Sequence, residues 1–280
     1  MILIDMNQIA VANLMMNLKM NNSKTVDESM VRHMILNSIR MYRKEHHSEY
    51  GEVVLTWDSK HSWRRDYYPE YKASRRKGRE ESNLNWDDIF ETLNKIRNEI
   101  KENFPYKYLE VFGAEADDII GFLCEENRDE KIMIISGDKD FIQLQKYSNV
   151  TQWSPITKKQ VNGFDPTIYL KEHILKGDTS DGVPNVLSPD NTFTDGLRQR
   201  PLTRKKIQSW LVGGGSDWND EVKRNFQRNL TLIDLTKTPE ELKNQIRLEY
   251  NNASHGDRSK ILNYFMIYKL RELTDNIGDF

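Results

Sequence analysis

Three short, largely apolar runs place the strongest limits on how this 280-residue chain can fold. They cover residues 1–5, 53–57 and 132–135, which is the length and character of strands that are buried on both faces of a sheet. Apolar residues at helical spacing occupy parts of the intervals, at 26–42 and at 86–104, where Asn85 is a suitable N-cap. Strands alternating with such helices predict an α/β fold with a mostly parallel central sheet and flanking helices.

The second part of the chain has a different pattern. After residue 165 strand-like runs become scarce and helical spacing dominates. We therefore predict two domains, an α/β domain over 1–165 and a smaller, mainly helical domain over 166–280. Its helices are expected near 168–176, 203–212, 220–232, 239–250 and 260–273, with the glycines at 213–215 ending one of them. That glycine run lacks the Gly-Lys-Ser/Thr ending of a phosphate-binding loop.

Composition limits the class of protein. No apolar run approaches the roughly 20 residues that a membrane-spanning helix needs. The chain starts with a strand-like segment that does not resemble a signal peptide. The single cysteine, Cys124, lies on an apolar helix face and is expected in the core, which suits a reducing cytoplasm. Together these features predict a cytoplasmic protein that is not bound to a membrane.

Acidic residues follow the predicted strands and open the elements that come after them. Nine acids form five clusters: Asp5; Asp58; Glu115, Asp117 and Asp118; Asp138 and Asp140; and Asp178 and Asp181. In an open α/β sheet, ligands bind at the edge where the carboxyl ends of the strands meet. Carboxylates gathered there would repel each other, and hard divalent cations with oxygen ligands relieve that repulsion. The pattern predicts a two-metal phosphodiesterase site.

Three other roles explain the acidic residues less well than a two-metal site does. They are a calcium-binding loop, a zinc site and the start of a helix. Asp138 and Asp140 could open a calcium loop, but Gln143 and Asn149 stand where that loop needs glycine and glutamate. The six histidines lack the paired spacing typical of zinc sites. A single acid such as Asp117 could simply favour the start of a helix. The number and placement of the acids together favour the metal hypothesis.

Two basic segments complement the acidic clusters, although the net charge of the chain is only −2. Residues 60–79 contain eight Lys or Arg against two acids, and a second run lies at 198–206. Clustered cations beside clustered carboxylates suit a nuclease, because one surface binds phosphates while the other holds metal. A solvated basic loop is the alternative for either segment alone.

In their order along the chain, these motifs resemble those of the flap endonuclease/5′→3′ exonuclease family. The matching motifs are Asp5, Asp58, Glu-Ala-Asp-Asp at 115–118, Gly-Asp-Lys-Asp-Phe at 137–141 and Gly-Asp-Thr-Ser-Asp at 177–181. Residues 63–75 resemble the arch segment of that family, and further matches at 37–39, 153–155 and 229–234 are similar to its bacteriophage members. One departure follows Asp181. Cellular relatives carry a glycine-rich helix-hairpin-helix there, whereas this chain continues with Gly182-Val183-Pro184-Asn185-Val186 and a longer insert.

The resemblance implies roles for named residues. Asp5, Asp58, Asp117 and Asp138 would surround a first Mg²⁺ with Glu115 close by, and Asp118, Asp140, Asp178 and Asp181 would surround a second; Mn²⁺ could substitute. Arg64 and Lys72, in an arch segment of about 60–84, would contact the scissile phosphate. Tyr71 would stack on an unpaired base or simply pack. Further nucleic-acid contacts are expected from Arg65, Arg75, Arg76, Lys77, Arg204, Lys205 and Lys206. The part of the arch over 66–84 is expected to be mobile without DNA.

The implied activity is Mg²⁺-dependent hydrolysis at the 5′ ends, flaps and forks of RNA·DNA and DNA duplexes, as in the removal of lagging-strand primers during phage DNA replication. The implied partners are nucleic acid, a single-stranded-DNA-binding protein and a sliding clamp, with a monomer as the family default. Two alternatives stay open. One is a PIN-type ribonuclease on a similar sheet, and the other is a non-catalytic binder of branched DNA that uses Mg²⁺ structurally.

Overall fold

The computed structural model describes every residue from Met1 to Phe280 and contains one six-stranded sheet. The strands are β1 (Ile2–Asp5), β2 (Val53–Thr56), β3 (Lys107–Leu109), β4 (Ile132–Ile135), β5 (Val150–Ser154) and β6 (Lys159–Gln160). Their order is β3-β2-β1-β4-β5-β6, and every neighbouring pair is parallel except β5 with β6. The predicted mostly parallel sheet is confirmed. β3 and β5 do not appear as apolar runs in the sequence, because Lys107 interrupts the first and Thr151 and Gln152 interrupt the second.

Helices cover both faces of this sheet. Those of the first part are α1 (Met6–Met20), α2 (Glu28–Tyr50), α3 (Trp63–Tyr67), α4 (Ser74–Glu80), α5 (Trp86–Asn103) and α6 (Ala116–Glu126), followed by a 3₁₀ helix at Lys139–Lys146. Ile2 and Ile4 point to a core that contains side chains from α1, α2 and α5, whereas Leu3 points to a second core beneath α6. This alternation is what a strand between two helical layers requires. Cys124 lies in the second core, as predicted.

Helix capping explains several boundaries. The Asn85 side chain accepts a hydrogen bond from the Asp88 backbone at the start of α5, as predicted. Asp5 caps α1 and Asp138 caps the 3₁₀ helix in the same way, so both aspartates sit at a strand-to-helix junction. The fixed junction holds each carboxylate in one place at the edge of the sheet.

The remaining helices are α7 (Pro166–Lys176), α8 (Arg204–Gly213), α9 (Asp220–Ile233), α10 (Glu240–Asn252), α11 (Ser259–Ile267) and α12 (Arg271–Asp275). The predicted single helix over 260–273 is wrong, because the chain turns between α11 and α12 at Lys269, whose φ is 55°. The predicted helix end at the glycine run is correct, since α8 stops at Gly213 and Gly214 adopts the left-handed conformation. No helix is both long and apolar enough to cross a membrane.

The C-terminal helices pack against the sheet domain. Leu242 and Ile246 of α10 join the core beneath α6, and Phe265 and Leu273 of α11 and α12 join the core beneath α1. A separate small core unites α7, α8 and α9, with Leu175, Val186, Ile207, Trp210 and Val222. The domain boundary at 165/166 stays a prediction. This packing shows that only the middle of the second region has a core of its own.

Candidate active site

A cleft of about 810 Å³ lies at the carboxyl ends of the parallel strands. Seven of the nine predicted acids line it: Asp5, Asp58, Asp117, Asp138, Asp140, Asp178 and Asp181. They come from the ends of β1, β2 and β4, from the start of α6 and from the loop after α7. The sheet therefore brings together side chains that are far apart in sequence, which is the convergence that the strand-end pattern predicts.

Backbone and hydroxyl groups hold two of these carboxylates in place. The Asp5 carboxylate accepts hydrogen bonds from Gln8 N at 3.1 Å and from Ser136 Oγ at 3.0 Å. The Asp138 carboxylate accepts from Asp140 N at 3.0 Å. These bonds come from residues next to each carboxylate in the fold, so the geometry does not depend on distant loops.

The carboxyl groups of the cleft are difficult to ionise together. Burial, reinforced by the charge of Asp58, raises the pKa of Asp5 to about 7. Burial and the neighbouring Asp138 raise the pKa of Asp140 to about 8. Burial is also the main cause of the raised pKa of Asp58, Asp117 and Asp138. A set of desolvated oxygens with too little positive charge around them suits a hard divalent cation, which would restore the ionised form.

His173, near the end of α7, belongs to this site although sequence reasoning missed it. Its Nδ1 lies 3.3 Å from Asp140 Oδ1, and its Nε2 lies 3.3 Å from Asp178 Oδ2. One ligand atom from each of the three residues lies within 4.8 Å of the others, so the group could hold a metal ion. The spacing of the histidines along the sequence could not indicate this arrangement, because the partners of His173 are carboxylates in other segments.

Hydrogen bonding sets the charge state of this group. Burial lowers the pKa of His173, but the hydrogen bond with Asp178 and the charge of Asp140 outweigh it and raise the pKa overall. Burial raises the pKa of Asp178, yet hydrogen bonds from His173 and Ser180 lower it well below its usual value. When protonated, His173 compensates part of the negative charge on this side of the cleft, and the raised pKa favours that form.

The structure does not place Asp118 in the cleft, which corrects the prediction that it surrounds the second metal ion. Its side chain is fully buried behind the cleft, where it caps the start of α6. It accepts hydrogen bonds from Arg64 Nη1 at 2.8 Å, Trp63 Nε1 at 3.1 Å and Thr238 Oγ1 at 2.8 Å. Because both oxygens are occupied by protein donors, Asp118 stabilises the fold behind the site.

Arg64 and Tyr71 also differ from their predicted roles. The Arg64 side chain is 2% exposed, and its Nε donates to the Leu232 carbonyl at 2.9 Å. Tyr71 is 3% exposed, and its hydroxyl oxygen lies 2.8 Å from a Glu115 carboxylate oxygen and 2.7 Å from one of Asp181, which share its single proton. Neither the guanidinium nor the ring has a free surface in the cleft. The prediction that Arg64 contacts the phosphate and Tyr71 stacks on a base is therefore wrong, and packing explains both.

Lys72 lies in the cleft and fits its predicted position. Its Nζ donates to Glu115 at 2.7 Å and lies 3.6 Å from Asp181. Burial lowers the pKa of Lys72, but these two carboxylates outweigh burial and raise it, so the ammonium stays charged. For Glu115 the directions are reversed. Burial raises the pKa of this carboxyl group, but the charges of Lys72 and Arg64 outweigh burial and lower the pKa overall. Glu115 is thus neutralised by protein cations and does not line the cleft.

The other predicted nucleic-acid residues are exposed. Arg75 lines the cleft and pairs with Asp181. Exposed side chains elsewhere belong to Arg65, Arg76, Lys77, Arg204, Lys205 and Lys206. Lys60 and Arg79, from the basic segment 60–79, also line the cleft, and sequence reasoning missed four further polar residues there: Asn7, Gln8, Asn94 and Arg97. Contacts between these residues and nucleic acid stay predictions, as does mobility of the arch segment.

Asp117 lines the cleft whereas its neighbour Asp118 is buried behind it, and this contrast gives a first testable prediction. Asp118→Asn should lower the free energy of unfolding by about 3 kcal/mol, because it breaks a buried ion pair with Arg64. Asp117→Asn should raise the free energy of unfolding in metal-free buffer, because it removes the cost of burying that carboxylate and its repulsion by Asp138 and Asp5. Urea unfolding of both variants in EDTA measures the difference. A loss of stability in Asp117→Asn equal to that in Asp118→Asn would contradict this division of roles.

The raised pKa values predict the pH dependence of stability. A carboxyl group with a higher pKa in the folded protein binds more protons in the folded state, so stability falls as the pH rises through that pKa. For Asp5 and Asp140 this loss runs from the usual aspartate pKa of 3.8 up to the raised values, that is between about pH 4 and 8, and the raised pKa of His173 acts in the same direction. Urea unfolding in EDTA should show the decline, and saturating Mg²⁺ should reduce it. Stability that rises over this range would contradict the charge assignment.

Comparison with known proteins agrees with this geometry. Residues 1–173 match the family model of the 5′-3′ exonuclease N-terminal resolvase-like domain, and residues 165–280 match that of the T4 RNase H C-terminal domain. The ribonuclease H of Enterobacteria phage T4 is 36% identical over 296 aligned positions, which cover 99% of this chain and 95% of that protein. A 5′-3′ exonuclease of Buchnera aphidicola subsp. Acyrthosiphon pisum (strain APS) is 31% identical over 217 positions, covering 71% of this chain and 72% of that protein.

Solved structures show the same fold. The flap endonuclease of bacteriophage T5, in a pseudo-enzyme–product complex with DNA and metal ions, superposes with a TM-score of 0.63 at 17% identity. The superposition covers 89% of this chain and 97% of that one. The T5 5′-exonuclease with bound zinc gives a TM-score of 0.62 at 15% identity, over 90% of this chain and 98% of that one.

Proposed function

Because this chain belongs to the 5′→3′ exonuclease family and is a nuclease, we propose that it is a Mg²⁺-dependent 5′→3′ exonuclease and flap endonuclease. Its substrates would be RNA·DNA and DNA duplexes with 5′ ends, flaps or forks. The observation that carries the proposal is the single cleft lined by seven aspartates, several of which have raised pKa values. Such a set of oxygens is suited to divalent metal and to the phosphodiester chemistry that metal supports.

The aspartates of the cleft, together with His173, could form two groups of metal ligands. The first group consists of Asp5, Asp58, Asp117 and Asp138, and the second of Asp140, His173, Asp178 and Asp181. Mg²⁺ prefers oxygen ligands, and Mn²⁺ accepts both oxygen and imidazole nitrogen. When bound, the metal would supply the charge that activates a water molecule and stabilises the leaving oxygen of the phosphodiester.

The protein's own cations would orient the substrate. Lys72 stands among the carboxylates, where its ammonium can bind the scissile phosphate. Arg75, Arg79 and Arg97 line the same cleft and would contact the phosphates that flank it. The exposed basic residues 204–206 at the start of α8 would bind the duplex backbone, which adds affinity without sequence preference.

The biological role that follows is removal of RNA primers from the lagging strand during phage DNA replication in the cytoplasm of the infected bacterium. Its support is the near full-length similarity to a phage ribonuclease H. A single-stranded-DNA-binding protein and a sliding clamp are the proposed partners, and the enzyme is proposed to act as a monomer.

A cleavage assay with three end-labelled substrates tests the function. The substrates are 5′-flapped DNA, a nicked duplex with a 5′ RNA segment, and single-stranded RNA, each with EDTA, Mg²⁺ or Mn²⁺. We expect short 5′ products from the first two substrates only when metal is present. Cleavage confined to single-stranded RNA would favour a PIN-type ribonuclease, and tight binding without cleavage would favour a branched-DNA binder.

A further inference from the structure

A second cavity, of about 310 Å³, lies at the opposite edge of the sheet. Glu52 and Tyr106 line it, and they immediately precede β2 and β3 at the amino ends of those strands. The metal-binding cleft is at the carboxyl ends, so the sheet separates the two sites. The other walls come from α2, from the loop before α11 and from Phe280.

The cavity contains two arginine side chains that form no ion pair with a carboxylate of the protein. Arg258 takes part in no ion pair or side-chain hydrogen bond, and Arg43 donates only to the Asp279 carbonyl, at 2.7 Å. Glu52 is the one acidic side chain in the lining, and its carboxylate has other partners: His255 Nε2 at 3.4 Å, Lys107 Nζ at 3.5 Å and the Tyr250 hydroxyl at 2.7 Å. Most N–H donors of the two arginines are therefore free to bind a ligand.

Tyr106 provides an independent observation at the same place. Its side chain is 7% exposed, and its hydroxyl is buried without any hydrogen-bond partner. Buried hydroxyl groups almost always have a partner, so the Tyr106 hydroxyl is left to bond with a water molecule or an anion once the side chains that cover it move. Burial raises the pKa of Tyr106, while the charges of Arg43 and Arg258 oppose that rise.

The loop that carries two of the lining residues approaches the neighbouring backbone closely. A Cβ on Gly256 would lie 2.3 Å from the Phe104 carbonyl oxygen, so only glycine allows this approach. His255 and Arg258, on either side of Gly256, both line the cavity, so this contact fixes the path of the backbone that carries them.

We propose that this cavity binds a phosphate group, either as inorganic phosphate or as part of a small molecule such as a mononucleotide. Two guanidinium groups, imidazole and a phenol supply donors that match the several acceptor oxygens of a phosphate. The volume is near the lower end of the roughly 300–1,000 Å³ found for small-molecule pockets. It leaves room for a small organic group beside the phosphate.

Isothermal titration calorimetry on the full chain in EDTA tests the proposal. Inorganic phosphate and adenosine monophosphate should each bind saturably, whereas sodium acetate at equal ionic strength should not. Arg258→Gln should weaken phosphate binding at least tenfold. Arg271→Gln, which changes an exposed arginine outside the cavity, should leave it unchanged. Tighter binding of the nucleotide would identify the small-molecule source, and equal binding would identify phosphate itself.

Several outcomes would overturn the proposal. They are an absence of saturable binding, equal binding of acetate, or phosphate binding that Arg258→Gln does not change. Tyr106→Phe gives a second, independent test. It should not lower the melting temperature without phosphate, and it should reduce the rise in melting temperature that phosphate produces. A lower melting temperature without ligand would show that the hydroxyl already has a partner, and the proposal would fail.

Discussion

Asp138→Asn is expected to lower the rate of 5′ cleavage by about three orders of magnitude or more, while DNA binding is kept. Asp138 follows β4 and lines the cleft among the other aspartates, so its charge would contact metal directly. An asparagine can still accept the hydrogen bond from Asp140 N that caps the 3₁₀ helix. The substitution therefore removes charge with little change in fold.

Single-turnover cleavage of a flapped duplex and a separate binding titration in Ca²⁺ measure the two effects. Asp129→Asn is the matched control, because Asp129 is exposed, lies outside the cleft and makes no ion pair. It should leave both rate and affinity unchanged. Full activity of Asp138→Asn with Mg²⁺ would contradict the metal assignment, whereas a parallel loss of binding would indicate a damaged fold.

Lys72→Ala is expected to slow hydrolysis by about 100-fold while weakening DNA binding less than about threefold. Its ammonium lies inside the cleft, where it would act on the charge that develops at the scissile phosphate. Glu115 keeps its bonds with Arg64 and Tyr71 in the variant, so the buried carboxylate is not left without partners.

Lys77→Ala provides the comparison within the same arch segment. The Lys77 side chain is 78% exposed and has only a loose pair with Glu81, at 3.9 Å. It should weaken DNA binding slightly, more at low salt, without changing the single-turnover rate at saturation. Equal effects of Lys72→Ala and Lys77→Ala on the rate would contradict a specific role for Lys72.

The fold was predictable from sequence where strong patterns act locally. The apolar strands at 2–5, 53–56 and 132–135 must be buried on both faces, and the parallel arrangement then directs Asp5, Asp58 and Asp138 to one edge. The positions of these three aspartates depend on strand direction alone, which is why the sequence pattern could predict that they lie together. β3 and β5 were not predictable in this way, because polar residues interrupt the apolar run: Lys107 in β3, and Thr151 and Gln152 in β5.

The remaining site residues depend on packing between distant segments. Whether Arg64 faces the cleft or the interior is decided by Asp118 and by the Leu232 carbonyl, which lies 168 residues further along the chain. His173 joins the site only because α7 packs beside the 3₁₀ helix that carries Asp140. A charged residue in a basic run therefore cannot be assigned to substrate or to a buried ion pair from its neighbours in sequence.

Diffraction from crystals grown with Mn²⁺, recorded at the manganese absorption edge, would locate the metal in the cleft. We expect anomalous density among the carboxylates of Asp5, Asp117 and Asp138 and beside Asp140 and Asp178. Asp118 should have no density near it. Crystals in which the cleft shows no anomalous density at saturating Mn²⁺ would contradict the conclusion that these aspartates form a metal-dependent active site.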